Sequence, residues 1–288
     1  MRSLLIIGCG DVLRRALPEL LRHWRIYALV RERDPALTAL GVTQLIGDLD
    51  RKASLRRLAG LAHAVLHAAP PPDRGQRDPR MRRLLAVLRR GSLPRRFVYI
   101  STSGVYGDCA GAKVNETRAP HPQTGRAQRR ADAEKTLRRF GRNSGCCVNI
   151  LRASGIYAGD RLPLARLRQG LPMWQAGEDV YTNHVHAEDL GSACLAALRH
   201  GRANRVYNAS DDSDLLLGAW FDKLADAFDL PRPPRVSRCA APDRLSFMNE
   251  SRRLDNRRLK RELGFRFRYP NVDCGIAAAK EAQCSGSG

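Results

Sequence analysis

The 288-residue chain is 43% hydrophobic and carries a formal net charge of +21. That balance excludes wholesale disorder and leaves enough apolar mass for a core without disulfides or metals. No apolar run approaches the ~20 residues of a membrane helix, and Leu4-Leu5-Ile6-Ile7 is too short for a signal peptide, so a cytoplasmic protein without membrane contact is expected.

The eight cysteines include no C-x-x-C pair and read as reduced thiols, with no metal site expected. Nearly all the positive charge is arginine, and its field would draw anions. The arginines are scattered along helical stretches without interleaved aromatics. The expected partner is therefore a small anionic substrate and not nucleic acid, and a homodimer is compatible with the sequence.

In chain order, Leu4 to Ile7 is a buried-strand run that leads through Gly8-Cys9-Gly10 into a helix from Asp11 to about Arg22. Strands follow at Arg25 to Val30, Val42 to Ile46 and Ala64 to His67, the last ending in Ala68-Ala69-Pro70. A Leu- and Arg-rich helix near 78–90 precedes a strand at Arg96 to Ile100. A long helix over Gln123 to Phe140 precedes another at Cys147 to Leu151, and Arg205 to Asn208 reads as a seventh. This alternation predicts an α/β fold with a parallel sheet and crossover helices. Beyond 210 it fails, leaving helices near 215–228 and 256–263.

Gly8-Cys9-Gly10-Asp11-Val12-Leu13 lies between a strand and a helix, as a dinucleotide-binding loop requires. The first glycine permits the tight turn, the second lets backbone approach a pyrophosphate, and the helix N-terminus offers free N–H groups to that anion. Leu13 stands where a third glycine is usual and Pro18 lies inside the following helix, which together predict a displaced or kinked first helix. At the end of strand two, Arg31 and Arg33 favour the 2′-phosphate of NADP, while Glu32 keeps NAD open. Asp48, followed by Leu49, either meets the adenine or caps the next helix.

Phe97-Val98-Tyr99-Ile100-Ser101-Thr102-Ser103-Gly104-Val105-Tyr106-Gly107-Asp108 resembles the strand-five block of the extended short-chain dehydrogenases/reductases, the group of nucleotide-sugar epimerases and dehydratases. Asn115-Glu116-Thr117, Leu151-Arg152-Ala153-Ser154-Gly155-Ile156-Tyr157 and Asn183-His184-Val185-His186-Ala187-Glu188-Asp189-Leu190 are similar to later blocks in the same order. The resemblance implies a Rossmann doubly wound parallel sheet with a small, mostly C-terminal substrate-binding subdomain. Residues 1–155 and a returning 180–210 would form the former, 156–179 and 211–283 the latter, and 284–288 a flexible tail. It also implies NADP or NAD as cofactor, with Ala68, Ala69, Pro70, Ser101 and Ser154 added to the loop residues as contacts.

The resemblance places Thr102 at the catalytic hydroxyl position. The family uses a Tyr as acid or base and a Lys four residues later, and counting back from Ala133-Glu134 gives Arg126 and Arg130 at those places. No Tyr occurs between Tyr106 and Tyr157. Arginine stays charged and cannot accept a proton. Arg130 would then hold the ribose or a phosphate and Arg126 an anionic ligand group, unless Arg126, Arg129 and Arg130 form a solvated basic face. His186 and Asp189 read as capping and packing residues of the helix they begin. An atypical oxidoreductase or epimerase/dehydratase-like enzyme and a non-catalytic NAD(P)H-binding protein both remain open.

Overall fold

In the computed structural model, which describes residues 2–240 and 249–285, seven parallel strands form one sheet. They are β1 (Arg2–Ile7), β2 (Trp24–Val30), β3 (Thr43–Ile46), β4 (Ala64–His67), β5 (Arg96–Thr102), β6 (Cys147–Ala153) and β7 (Arg205–Ala209). Their order across the sheet is β7-β6-β5-β4-β1-β2-β3. The order reverses between β1 and β4, so the chain leaves in opposite directions from that seam and opens a crevice at the strands' carboxyl ends.

Side chains alternate along each strand, and both faces are buried. Leu4, Ile6, Leu66, Val98 and Leu151 face a layer made by α1 (Asp11–Leu21), α6 (Ala187–His200) and α8 (Arg257–Leu263). Leu5, Ile7, Val65, Phe97 and Ile150 face α3 (Pro79–Leu88) and α4 (Gly125–Ser144). Asp78 and Thr124 cap α3 and α4 by accepting from Met81 N and Ala127 N, and Gly145 ends α4 in the left-handed region at φ 69°.

Helix α1 runs unbroken through exposed Pro18, in its third turn. Leu13 is fully buried in the same layer as Leu4 and Ile6. The tight approach that a third glycine would provide occurs instead between helices: a Cβ at Gly191 of α6 would lie 3.0 Å from Ala16 Cβ and 3.3 Å from Val12 O.

A separate apolar cluster gathers Tyr157, Leu164, Leu167, Trp174, Trp220, Phe221, Leu224 and Ile276. It joins α5 (Leu164–Arg168), α7 (Leu217–Ala227) and α9 (Val272–Ser285), while α2 (Pro35–Ala39) lies beside β3. Helix α9 includes Cys284 and Ser285, which the sequence placed in a tail; 286–288 lie outside the described residues. Among the described residues no helix is long and apolar enough to cross a membrane, and no cluster of His, Cys, Asp and Glu suits a metal ion.

Candidate cofactor site

The two loop glycines differ in what surrounds them. Gly8 sits at φ +84°, and a Cβ there would fall 2.5 Å from Ala69 N, where the chain leaves β4. Ala68 N and Ala69 N both donate to Ile7 O, at 2.8 and 3.0 Å, which holds that approach closed. Gly10, at the N-cap of α1, has ordinary backbone angles, and a Cβ on it would meet nothing within 4 Å. The space above Gly10 is therefore an open cradle at a helix N-terminus, of the kind a pyrophosphate fills.

Charged side chains frame this loop. Asp11 pairs with Arg15 at 2.8 Å and with Arg161 at 2.8 Å, and Arg15 also reaches Asp160 at 2.6 Å. Bonds from Arg15 and Arg161 hold the Asp11 carboxyl below the usual range against the opposing effect of partial burial. Arg14 donates to Cys9 O at 3.2 Å and pairs with Asp34, tying the loop to the end of β2. Arg31, Glu32 and Arg33 are exposed beside it.

Asp48 accepts the N–H of Asp50 at 2.9 Å, a local turn bond, and Leu49 is buried. Ala68 and Ala69 are half-buried and Pro70 exposed at the mouth of the crevice. Ser154 donates to Ala209 O at 3.2 Å. Thr102, half-buried at the end of β5, accepts from Gly104 N at 3.2 Å.

Three buried cations, Arg130, Arg129 and Arg152, sit beneath these residues. Arg130 donates to Tyr99 Oη at 2.9 Å and Ile100 O at 2.8 Å, and approaches Ala69 O at 3.5 Å. Burial outweighs the nearby guanidinium and pushes the Tyr99 phenol up to about 12. His67, fully buried edge-on to Tyr99, has no partner on either ring nitrogen; burial and the Arg130 charge lower its pKa to about 3. Arg129 is buried too and donates to Gly75 O at 2.7 Å. Arg126 is exposed, so the three arginines do not form one solvated face.

The third cation is Arg152. Its guanidinium meets Glu134 at 2.6 Å, with side-chain exposures of 2% and 4%, and Ser101 Oγ donates to Glu134 at 2.6 Å. Ser101 is thus engaged inward. Sequence reasoning missed this pair because hydropathy treats both residues as surface residues.

The later blocks have structural partners. His186 caps α6 by accepting Glu188 N at 3.3 Å, and Asp189 accepts Arg268 N and Tyr269 N at 2.8 and 2.9 Å. Asn183 bonds to Arg252 O and Leu254 N. The Glu116 carboxylate accepts Asn208 N at 2.9 Å.

A switch point at β1/β4 with a glycine cradle above it defines a dinucleotide-binding α/β protein, and comparison makes the class definite. The chain belongs to the NAD dependent epimerase/dehydratase family, whose model matches residues 10–210. GDP-6-deoxy-D-mannose reductase from Pseudomonas aeruginosa is 30% identical over 158 residues, covering 50% of this chain and 52% of that protein. The chain thus spans about half the length of that curated relative.

Among solved structures, a functionally unknown conserved protein from Silicibacter pomeroyi superposes with a TM-score of 0.82 at 27% identity, covering 98% of this chain and 99% of that one. UDP-glucose 4-epimerase from Thermotoga maritima, solved with UDP-glucose, gives 0.82 at 19% identity over 99% and 100%. A dTDP-glucose 4,6-dehydratase from Bacillus anthracis, in complex with NAD, gives 0.80 at 14% over 99% and 97%. At these identities the last two show the fold.

Proposed function

We propose that this chain binds NAD(P) across the β1/β4 crevice and acts as an oxidoreductase or epimerase/dehydratase-like enzyme on a small anionic substrate of the nucleotide-sugar class. The observation that carries the reading is the contrast between Gly8, closed against Ala69, and Gly10, open at the start of α1. Nothing in the fold itself needs that opening.

When bound, the cofactor supplies hydride transfer at its nicotinamide. The N-terminus of α1 holds the pyrophosphate, and Arg31 and Arg33 meet a 2′-phosphate, so NADP is preferred over NAD. Thr102 donates its O–H to a substrate oxygen, since its bond from Gly104 N uses only a lone pair. Arg126, exposed at the start of α4, clamps a substrate phosphate. The likeness to GDP-6-deoxy-D-mannose reductase and to a UDP-glucose 4-epimerase solved with UDP-glucose supports that substrate class.

A second reading, a protein that binds NAD(P)H without turning it over, is favoured by one observation. Arg130 is committed to Tyr99 and Ile100, and residues 107–156 contain no tyrosine to move a proton.

Calorimetry with NADPH and NADH tests the cofactor assignment: the expected result is binding of both with NADPH tighter, the difference disappearing in Arg31→Ala/Arg33→Ala. Thermal shift with UDP-, GDP- and dTDP-sugars in the presence of cofactor, followed by absorbance at the nicotinamide band for net oxidation or reduction and by chromatography of the sugar nucleotide for redox-neutral epimerisation or dehydration, separates the readings. Binding with slow turnover supports the enzyme; cofactor binding with no turnover of any stabilising sugar nucleotide supports the second.

A further inference from the structure

The positive charge is scattered in sequence but gathered by the fold. Three stretches, 51–72, 79–107 and 135–159, contain no Asp or Glu. Helix α3 packs on α4 and on the helical turn Lys52–Leu58. Beyond α3 the chain passes so close to the first stretch that a Cβ on Gly91 would fall 2.6 Å from Gly60 N.

On α4, Lys135, Arg138, Arg139 and Arg142 are spaced i, i+3, i+4, i+7 and share one helix face. All four are exposed, and among the described residues none is paired with an acid. Arg89, exposed at the end of α3, lays its guanidinium 5.1 Å from the Phe140 ring, and Arg90 is exposed beside it. The acids of α4 are turned elsewhere: Asp132 to Arg82 at 2.7 Å and Glu134 to Arg152 at 2.6 Å.

We propose that this face binds the phosphate backbone of duplex nucleic acid without reading bases. Arginine predominates in it, and its planar fork matches phosphate oxygens bidentately. Among the described residues the large hydrophobics that are exposed are Leu40, Ile46, Leu93 and Leu171, none of them aromatic. The face therefore lacks the stacking platforms that single strands require. An anionic membrane would need apolar side chains among the cations, and Leu93 alone lies in that neighbourhood. A second copy docked symmetrically on the stripe would set like charges against each other. Crossover helices run antiparallel to their strands, so the C-terminal halves of α3 and α4 lie at the edge of the sheet opposite Gly10. Duplex and cofactor can thus be held together.

The test is fluorescence anisotropy with a labelled duplex of about 20 base pairs across a salt series. Wild type is expected to bind at about 100 mM salt, with log affinity falling linearly in log salt. Replacing Lys135, Arg138, Arg139 and Arg142 by Gln should lower affinity at least about tenfold and flatten the slope by about one per cation removed. A control with Arg118, Arg168, Arg261 and Arg266 changed to Gln loses the same charge and should bind nearly as wild type. Equal loss in both variants would mean bulk charge and no defined face. No wild-type binding, or tighter binding to phosphatidylserine vesicles than to duplex, would also overturn the proposal. If the quadruple variant fails to fold, the four single Gln variants carry the test, each expected to flatten the slope by about one and each overturning it if the slope is unchanged.

Discussion

Arg130 and Tyr99 form a buried couple: the guanidinium donates to the phenol oxygen at 2.9 Å and lies 5.4 Å from the ring centroid. It joins α4 to the centre of β5, directly below the mouth of the crevice. The resemblance leads one to expect a cofactor-facing group at Arg130; in the structure its Nη1 is taken up by Tyr99 and Ile100 O, while its buried Nε has no partner among the described residues.

Removing that cation should therefore cost stability before it costs binding. Arg130→Met would leave the Tyr99 hydroxyl and Ile100 O without their donor, and each such buried group costs about 1–3 kcal/mol. Urea denaturation should show an unfolding free energy lowered by about 2–6 kcal/mol in all. Unchanged stability combined with lost NAD(P)H affinity would instead place Arg130 on the cofactor.

Gly8 and Gly10 should respond oppositely to substitution. Gly8→Ala puts a Cβ 2.5 Å from Ala69 N at φ +84° and should destabilise the fold. Gly10→Val adds atoms to open space at φ −86°, so its thermal midpoint should stay near that of wild type. Calorimetry should nevertheless find cofactor binding abolished. A Gly10→Val protein that binds normally would make the loop a plain strand–helix junction.

The sheet was legible because its strands are runs of Val, Ile and Leu buried on both faces, and Ala64–His67 falls at the bounds expected. Two strands were read two residues short at their carboxyl ends. β5 continues through Ser101 and Thr102, and β6 through Arg152 and Ala153. Ser101 and Arg152 are buried with Glu134 as their shared partner, and hydropathy cannot register a polar residue whose partner lies elsewhere in the chain. The same blindness hid the burial of Arg129 and Arg130. Helix α9 was missed for a different reason. Gly275 in its first turn reads as a breaker, yet a Cβ there would fall 2.3 Å from Tyr157 Oη, so glycine is what lets the helix close on the second core.

The Glu134–Arg152 pair makes a third prediction. Glu134→Gln leaves the buried Arg152 without its counter-charge, and breaking one partner of such a pair costs about 3–5 kcal/mol. Replacing both, as Glu134→Leu/Arg152→Met, should cost less than the single change, because no uncompensated charge is then left inside. A double variant as unstable as the sum of the two single changes would show that the pair carries no coupling.

Asp211 supplies the last prediction, in pH. Its side chain is buried, Oδ1 accepts Ser213 N at 2.9 Å and Oδ2 has no partner. Desolvation pushes its pKa from 3.8 up to about 7. The folded-state value lies above the unfolded one, so between these two values the native state binds the proton that the unfolded state has lost. The contribution of Asp211 is thus most favourable at and below pH 4, declines as pH rises toward 7, and is a penalty above it. One pKa unit is worth about 1.4 kcal/mol, so the ionised carboxylate costs on the order of a few kcal/mol at pH 8. Asp211→Asn keeps the acceptor for Ser213 N and removes the charge. Its stability relative to wild type, measured by urea denaturation from pH 4.5 to 8, should rise up to about pH 7 and level off above it. Asp78, Glu116 and Asp189 are also raised by burial, but they titrate in both proteins and cancel in the difference. A difference that is flat with pH, or that falls, would show that Asp211 is ionised at no cost in the native state.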